Sequence, residues 1–344
     1  MSGSSTGPED PKRRSDDGLP ALLGVVGPTA SGKEGLALRV APRLGAEILS
    51  LDSMKVYRGM DIGTAKAPAR ARRDVPHHLV DVVEPHESFN VKRYVESADA
   101  CIAEIRDRGR HPMLVGGTVL YLKTLLFGLS GPGSDPELRR RLHDECGRRG
   151  APALHADLVK VDAAAAERIH PNDERRIVRA LEVHELTGRP ISSFQTDFDR
   201  EDLRYDVRLV GIRRERADQH DRIDRRIDRM VDEGLVEEVA RIRSAGGYSR
   251  EASQALGYKE ILGHLGGEMT LKEALERLRN ATHRFARHQM TWLRRFPMIH
   301  WIDAGPEDDA SSLEERAVAI LSATSGESPR RDAGENAESR RLTE

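Results

Sequence analysis

Short apolar runs alternate with segments of helical period along most of this chain. The apolar runs lie at residues 21–26, 47–51, 78–83, 111–115, 207–212 and 298–302. Apolar runs of this length between helical segments are typical of parallel strands with helices on both faces of the sheet. The pattern therefore predicts a doubly wound α/β sheet.

The alternation stops between residues 131 and 203, where the pattern indicates helices only. Asp135 is placed to open one helix, and Asp173 is placed to cap another that should end at Gly188. We therefore predict a helical insertion domain at residues 131–203. The catalytic core would be formed by residues 18–130 and 204–310.

Both ends of the chain are poor in large apolar side chains. Residues 1–17 and about 324–344 are rich in Ser, Gly, Pro, Glu and Arg. Such segments cannot offset the entropy lost on ordering, so we expect two disordered tails, the second preceded by a helix from about residue 311.

Composition indicates a globular protein in a reducing compartment. The 344 residues are 38% hydrophobic, which is enough for a sizeable core, and the two cysteines, Cys101 and Cys146, form no disulfide framework. The first apolar run is too short to span a membrane. We therefore expect a cytoplasmic protein with no membrane partner.

The net charge of −2 conceals one strongly basic stretch at residues 283–296. It carries four arginines, two histidines, three aromatic residues and no acid. One interpretation is a solvated helix face beside a core stripe of Phe285, Trp292 and Phe296. The other is a nucleic-acid surface, which combines arginines with aromatics.

A glycine-bounded loop follows the first apolar run and opens a helix. Its residues are Gly27, Pro28, Thr29, Ala30, Ser31, Gly32 and Lys33. Backbone N–H groups, the helix N-terminus and a lysine at this spacing form a P-loop, which binds phosphate groups. The expected fold is therefore an α/β, P-loop NTPase-like parallel sheet core with a helical insertion domain.

The residue after the loop lysine departs from the usual pattern. This position normally carries Ser or Thr, whose hydroxyl helps to hold Mg²⁺, but here it is Glu34. The carboxylate could ligate Mg²⁺ while repelling a nearby diphosphate, or it could point away and leave the ion to the diphosphate, water and other carboxylates. We expect the change to be tolerated, because most of the anion site is backbone.

Further segments narrow the function. Two of them, residues 52–66 and 115–121, follow predicted strands at the sheet edge where ligands bind in this fold. Together with residues 170–173, 179–182, 256–259 and 289–292, they resemble the bacterial tRNA dimethylallyltransferases, over roughly residues 20–303. The resemblance implies transfer of a dimethylallyl group from dimethylallyl diphosphate to the exocyclic amine of the adenine 3′ of the tRNA anticodon, with Mg²⁺ as cofactor.

The resemblance also implies roles for individual residues. Diphosphate would lie on the loop from Gly27 to Lys33, with Glu34 in an open role, and Arg216 is the best match to an arginine near it. Asp52 would be the general base, since the adenine amine attacks more easily as it loses a proton. Thr118 would contact substrate. The alternatives are a surface charge at Arg216, a cap or magnesium-side carboxylate at Asp52, and a helix cap at Thr118.

The adenine must leave its stack to reach such a site, so tRNA contacts are expected around it. By resemblance they are Asp52, Ser53, Met54, Lys55, Thr118, Arg139, Arg175, Arg176, Ile177, Val178, Arg179, Gln254, Ala255, Leu256, Gly257, Tyr258 and Lys259. Arg175 and Arg176 each lie one helical turn from Arg179, a crowding of like charge that is unfavourable without an anionic partner. Solvated arginines are the alternative.

Two other functions remain open at this point. A small-molecule kinase shares the P-loop and the parallel sheet, and an RNA-binding module could have lost catalysis through Glu34. The histidines lack the spacing of a zinc site, and the metal ligands stay unassigned. We expect the chain to act as a monomer.

Overall fold

A computed structural model describes residues 21–128, 132–194 and 203–323. Its strands form one parallel sheet in the order β3-β2-β4-β1-β5-β6. The strands are β1 Leu22–Val26, β2 Ala46–Leu51, β3 His77–His78, β4 His111–Gly116, β5 Val207–Arg213 and β6 Ile299–Asp303. The predicted α/β fold with a parallel sheet is confirmed.

Helices cover both faces of this sheet, and a further group of helices packs around a separate core. The helices of the described residues are α1 Lys33–Arg43, α2 Ala69–Asp74, α3 Val91–Asp107, α4 Val119–Phe127, α5 Pro136–Arg149, α6 Ala151–Val161, α7 Ala163–Arg168, α8 Glu174–Thr187, α9 Arg216–Asp232, α10 Leu235–Ser244, α11 Tyr258–Leu265, α12 Leu271–Leu293 and α13 Ala310–Ser322. Short 3-10 helices lie at Ile191–Phe194 and Ala252–Gln254. In the described part of the chain, no helix is long and apolar enough to cross a membrane.

Successive side chains of the strands enter separate cores. In β1, Leu22 and Val26 join one buried cluster, whereas Leu23 and Val25 join another. Because side chains alternate across a strand, the sheet has an apolar layer on each face. This explains why the strands read as continuous apolar runs in the sequence.

The third strand is much shorter than the predicted residues 78–83. Only His77 and His78 pair with β2, because Leu79 and Asp81 have φ of 60° and 56°, outside the extended region. Leu79 and Val83 are nevertheless buried. The apolar run therefore reflected burial rather than a continuous strand.

The helices α5–α8 lie between β4 and β5 and have an apolar core of their own, which includes Leu142, Leu158 and Ile177. Their ends follow the expected local chemistry. Asp135 accepts hydrogen bonds from the first-turn N–H groups of α5, Asp173 does so for α8, and α8 ends at Gly188 in the left-handed region. The predicted tails, residues 1–17 and 324–344, lie outside the described residues.

Candidate active site

A cleft of about 1270 Å³ lies where β1, β2 and β4 end. It is lined by the glycine loop with Lys33, by the residues after β2 beginning with Asp52, and by Thr118 after β4. Side chains of α9 and α12 and residues 254–257 also line it. The sheet therefore brings together residues that are far apart in the sequence, at the edge where ligands bind in this fold.

The glycine loop has the geometry of an anion site. Ala30 and Gly32 have φ of 60° and 93°, which turns the backbone, and α1 begins at Lys33 without a side-chain cap. The N–H groups of the first turn are thus left for a ligand. The ammonium of Lys33 donates to the carbonyl of Pro28 at 3.1 Å and stays inside the loop.

The lysine of the loop has an unusually low pKa. Burial lowers the pKa of Lys33 to about 8; Glu34 opposes this shift, while Lys55 and Arg226 reinforce it. A cluster of cations is therefore gathered around the loop. An anionic ligand would stabilise all of these charges together.

Gln289 of α12, in the segment 289–292 that carries part of the resemblance, bridges two parts of the site, a role that the sequence did not predict. Its Oε1 accepts from Thr29 N at 2.8 Å, and its Nε2 donates to the carbonyl of Gly117 at 2.8 Å. A Cβ at residue 117 would lie 2.5 Å from Gln289 Nε2 and 2.6 Å from the carbonyl oxygen of Gly27. Glycine is thus required where α12, the loop and the end of β4 meet.

The arginine of α9 whose side chain contacts the loop is Arg226, and not the predicted Arg216. Arg226 Nη1 donates to Thr29 Oγ1 at 3.2 Å, and burial lowers its pKa against the opposing effect of Asp52 and Glu34. Arg216 is exposed on the first turn of α9 and is not among the residues lining the cleft. The signal missed in the sequence is helical spacing, since Arg222, Arg226 and Arg229 all line the cleft.

Arg214 also reaches the loop, from the end of β5. Its Nε donates to the carbonyl of Ser31 at 2.7 Å, and its Nη1 pairs with Asp218 at 2.9 Å. The loop carbonyl and the carboxylate of Asp218 therefore fix this guanidinium. Arg214 thus contacts the loop from the β5 side of β1, whereas Asp52 lies on the β4 and β2 side.

Asp52 and Thr118 lie together at the ends of β2 and β4. Thr118 Oγ1 accepts from Ser53 N at 3.2 Å and makes no capping hydrogen bond to α4, so it fastens the loop after β2. Asp52 Oδ1 accepts from Met54 N at 2.8 Å, and the residue lines the cleft. One oxygen of Asp52 is thus held by the backbone while the carboxylate stays at the cleft.

Glu34 lies at the cleft and pairs with Lys55. Its Oε1 is 2.5 Å from Lys55 Nζ. Burial raises the pKa of Glu34, but Lys55 and Lys33 outweigh it and hold the pKa below its usual range, so the side chain is a carboxylate. In the described ranges, no three His, Cys, Asp or Glu side chains group to hold a metal.

The segment at residues 254–259 is tied to the loop after β2 through a buried glutamate. Glu238 Oε2 accepts from Asp61 N and Ile62 N at 2.9 Å each, and its Oε1 accepts from the hydroxyl of Tyr258 at 2.5 Å. Tyr258 is fully buried, so its side chain is not available for the predicted contact with tRNA. Its hydrogen bond to Glu238 instead holds the two segments together. Gln254 and Lys259 are exposed.

The predicted tRNA contacts on α8 divide into buried and exposed residues. Ile177 and Val178 are buried in the core of the insertion, so their side chains are not available to tRNA. Arg179 pairs with the fully buried Glu182 at 2.8 Å, as does Arg139 at 2.7 Å. Of the three crowded arginines, Arg179 thus has Glu182 as its anionic partner and Arg176 lies 3.4 Å from Asp173, while Arg175 and Arg176 are both exposed.

The basic stretch at residues 283–296 combines both interpretations. Phe296 is buried in the main core, as the core-stripe interpretation requires. Phe285 and Trp292 are 44% and 42% exposed, and the guanidinium of Arg295 lies 5.0 Å from the Trp292 ring centroid. Phe285 also lines the cleft. Most of this face is therefore a basic, aromatic surface beside the site.

The chain is similar in sequence to proteins of one family. The model of the IPP transferase family matches residues 55–296. A tRNA dimethylallyltransferase of Geobacter sulfurreducens is 47% identical over 294 residues, which cover 85% of this chain and 94% of that protein. Another tRNA dimethylallyltransferase, from Anaeromyxobacter dehalogenans, is 47% identical over 86% of this chain and 98% of its own.

Solved structures agree with the sequence matches. The crystal structure of the tRNA isopentenylpyrophosphate transferase of Bacillus halodurans has a TM-score of 0.64 and 41% identity, covering 87% of this chain and 95% of that one. A eukaryotic dimethylallyltransferase captured acting on tRNA has a TM-score of 0.72 and 28% identity, covering 88% and 78%. The similarity thus extends over nearly all of the described residues.

Proposed function

Since the chain belongs to the tRNA dimethylallyltransferase family, we propose that it transfers a dimethylallyl group from dimethylallyl diphosphate to the exocyclic amine of the adenine 3′ of the anticodon in tRNA. The product would be N6-isopentenyladenosine, with diphosphate released. The observation that carries this proposal is that the phosphate loop with Lys33 and the carboxylate of Asp52 line one shared cleft.

The chemistry requires support at two places. As the C–O bond of the allylic diphosphate breaks, negative charge grows on the leaving diphosphate. The N–H groups of the loop, Lys33 and Arg226 would stabilise that charge, and the hydrogen bonds of Gln289 to Thr29 and Gly117 would keep the loop in shape.

The second place is the attacking amine. As the new N–C bond forms, the amine must lose a proton, and Asp52 is a carboxylate that lines the cleft at the end of β2. Its hydrogen bond from Met54 N and the hold of Thr118 on Ser53 would keep the base in position. Asp52 would therefore receive the proton.

We propose Mg²⁺ as the cofactor. Mg²⁺ on a phosphate substrate is usually held by one or two carboxylates, phosphate oxygens and water. Because Lys55 already pairs with Glu34, the diphosphate, water and other carboxylates of the cleft would hold the ion. When bound, the ion would neutralise part of the charge on the diphosphate.

The anticodon loop would dock on the exposed basic residues around the cleft. We propose that Arg175 and Arg176 contact phosphates of the tRNA and that Gln254 and Lys259 contact its anticodon loop. The adenine would leave its stack and enter the cleft. Phe285, exposed at the cleft, offers a face for a neighbouring base.

The test is a transfer assay with purified protein, Mg²⁺ and labelled dimethylallyl diphosphate. A tRNA with adenine 3′ of its anticodon should become labelled, and a matched tRNA with guanine there should not. No label on the first tRNA would reject the proposal. ATP turnover that depends on a small hydroxylated substrate would instead support a kinase.

A further inference from the structure

The ion pair between Glu34 and Lys55 lies at the most unusual position of the phosphate loop. Glu34 follows Lys33 where P-loops carry a hydroxyl. It is the first acidic residue of α1, and its side chain is 32% exposed. A lone carboxylate here would repel a diphosphate on the loop.

Lys55 reaches this carboxylate from a different part of the fold. It lies in the loop after β2, and its side chain is only 7% exposed. Backbone hydrogen bonds hold that loop on both sides of the residue, from Asp81 N to the carbonyl of Lys55 at 3.1 Å and from Tyr57 N to that of Met54 at 3.3 Å. The backbone that positions the Lys55 ammonium beside Glu34 is therefore held by hydrogen bonds.

The pairing fits the charges that act on Lys33. Lys55 and Arg226 are the cations near it, and Glu34 and Asp52 are the carboxylates. Without Lys55, Glu34 would lose the cation that contacts it, and an incoming diphosphate would meet an unpaired carboxylate beside the loop. Lys55 is nearly buried and lines the cleft, so it serves the site rather than the open surface.

We propose that Glu34 and Lys55 act as one compensated charge pair of the diphosphate site. Lys55 neutralises the carboxylate that replaces the usual hydroxyl, so the loop keeps its affinity for diphosphate. Lys55 is thus a positioning and charge-compensating residue, and not only a candidate tRNA contact. The inference rests on the proposed function, because it takes diphosphate as the ligand of the loop.

The test is a double-mutant cycle read by calorimetric titration of inorganic pyrophosphate, with Mg²⁺, into the full chain. Lys55→Met should weaken binding by about tenfold or more, because Glu34 is left unpaired. Adding Glu34→Thr to that variant should restore affinity to within about threefold of wild type, since carboxylate and partner are then both absent. Lys55→Arg should bind nearly as wild type does.

A Lys55→Met variant that binds like wild type would overturn the inference, and so would a double variant as weak as the single one. Recovery in the double variant also shows that the loss did not come from misfolding. Wild-type protein that binds no pyrophosphate would overturn it as well.

The proposed function fails separately. Pyrophosphate binding with the expected rescue, but no transfer to tRNA, would reject the transferase and leave the pair intact. Transfer to tRNA, but no recovery of pyrophosphate binding in the double variant, would reject only the proposed charge pair of Glu34 and Lys55.

Discussion

At the scale of single residues, the site is made by contacts that the chain order conceals. The spacing of the glycine loop identified Lys33 and its neighbours, because a P-loop is a local backbone feature. Gln289 contacts Thr29 across 260 positions, and Arg226 contacts it across 197. No local pattern reports such contacts, so their roles emerged only from the fold.

Asp52 should be needed for the chemical step and not for docking. Asp52→Asn keeps the hydrogen-bonding shape but removes the base, so we expect single-turnover transfer to slow by about 10²–10⁴-fold. The affinity for tRNA, measured by filter binding, should stay within about threefold of wild type. A loss of affinity as large as the loss of rate would contradict the role of base.

Arg226 and Arg216 form a matched pair on one helix. Arg226→Met should weaken pyrophosphate binding by about tenfold, because a partly buried charged donor next to Thr29 is lost. Arg216→Met should change the binding by less than about twofold, since an exposed charge is screened by solvent. Equal effects in the two variants, in the same titration, would show that the arginine was assigned wrongly.

The lowered pKa of Lys33 predicts a pH dependence of ligand binding. The ammonium is present below about pH 8 and is lost as pH rises through that value, so pyrophosphate affinity should fall above pH 8. The Lys33→Arg variant should lack this break, because arginine stays charged. Pyrophosphate's own ionisation affects both proteins alike. Two profiles of the same shape would contradict the prediction.

At the scale of secondary structure elements, the sequence predicted most strands and both helix caps at Asp135 and Asp173. It failed at β3, where buried side chains continue after the backbone has turned at Leu79. Apolar residues record burial, and burial alone does not fix the backbone. The same limit explains why Phe285 and Phe296, on one basic stretch, end in different environments.

Glu182 should stabilise the helical insertion. Glu182→Ala removes the buried carboxylate that pairs with Arg139 and Arg179 and accepts from Asp135 N. We expect the free energy of unfolding to fall by about 1–3 kcal/mol, because three hydrogen-bond donors lose the buried carboxylate that they share. Urea unfolding followed by circular dichroism measures this change. An unchanged urea midpoint of unfolding would show that the Glu182 carboxylate does not contribute to stability.

Arg176 should act through tRNA phosphate. Arg176→Ala should weaken tRNA binding and reduce the slope of log affinity against log salt by about 1. Arg39→Ala is the control, because it also removes one positive charge but at a residue that pairs with Glu314 of α13 and is not among those that line the cleft. A salt slope that falls equally in both variants would show that Arg176 adds only general charge.

At the scale of the whole molecule, one parallel sheet gathers the reacting groups. The strand order places β1 between β4 and β5, with β2 beyond β4, so the loop, Asp52 and Thr118 emerge at one edge. Alternating apolar runs were enough to predict this sheet. The shape of the cleft depends on where α9 and α12 lie relative to the end of the sheet. The amphipathic pattern of a helix shows which of its faces is buried, but not where the helix lies.

The most direct measurement is a crystal structure with a thio-diphosphate analogue of the prenyl donor and an anticodon stem-loop RNA. We predict diphosphate on the N–H groups of the loop ending at Lys33, with a carboxylate oxygen of Asp52 about 3 Å from the exocyclic nitrogen of the extruded adenine. Diphosphate bound elsewhere, or Asp52 turned away from the adenine, would contradict the account.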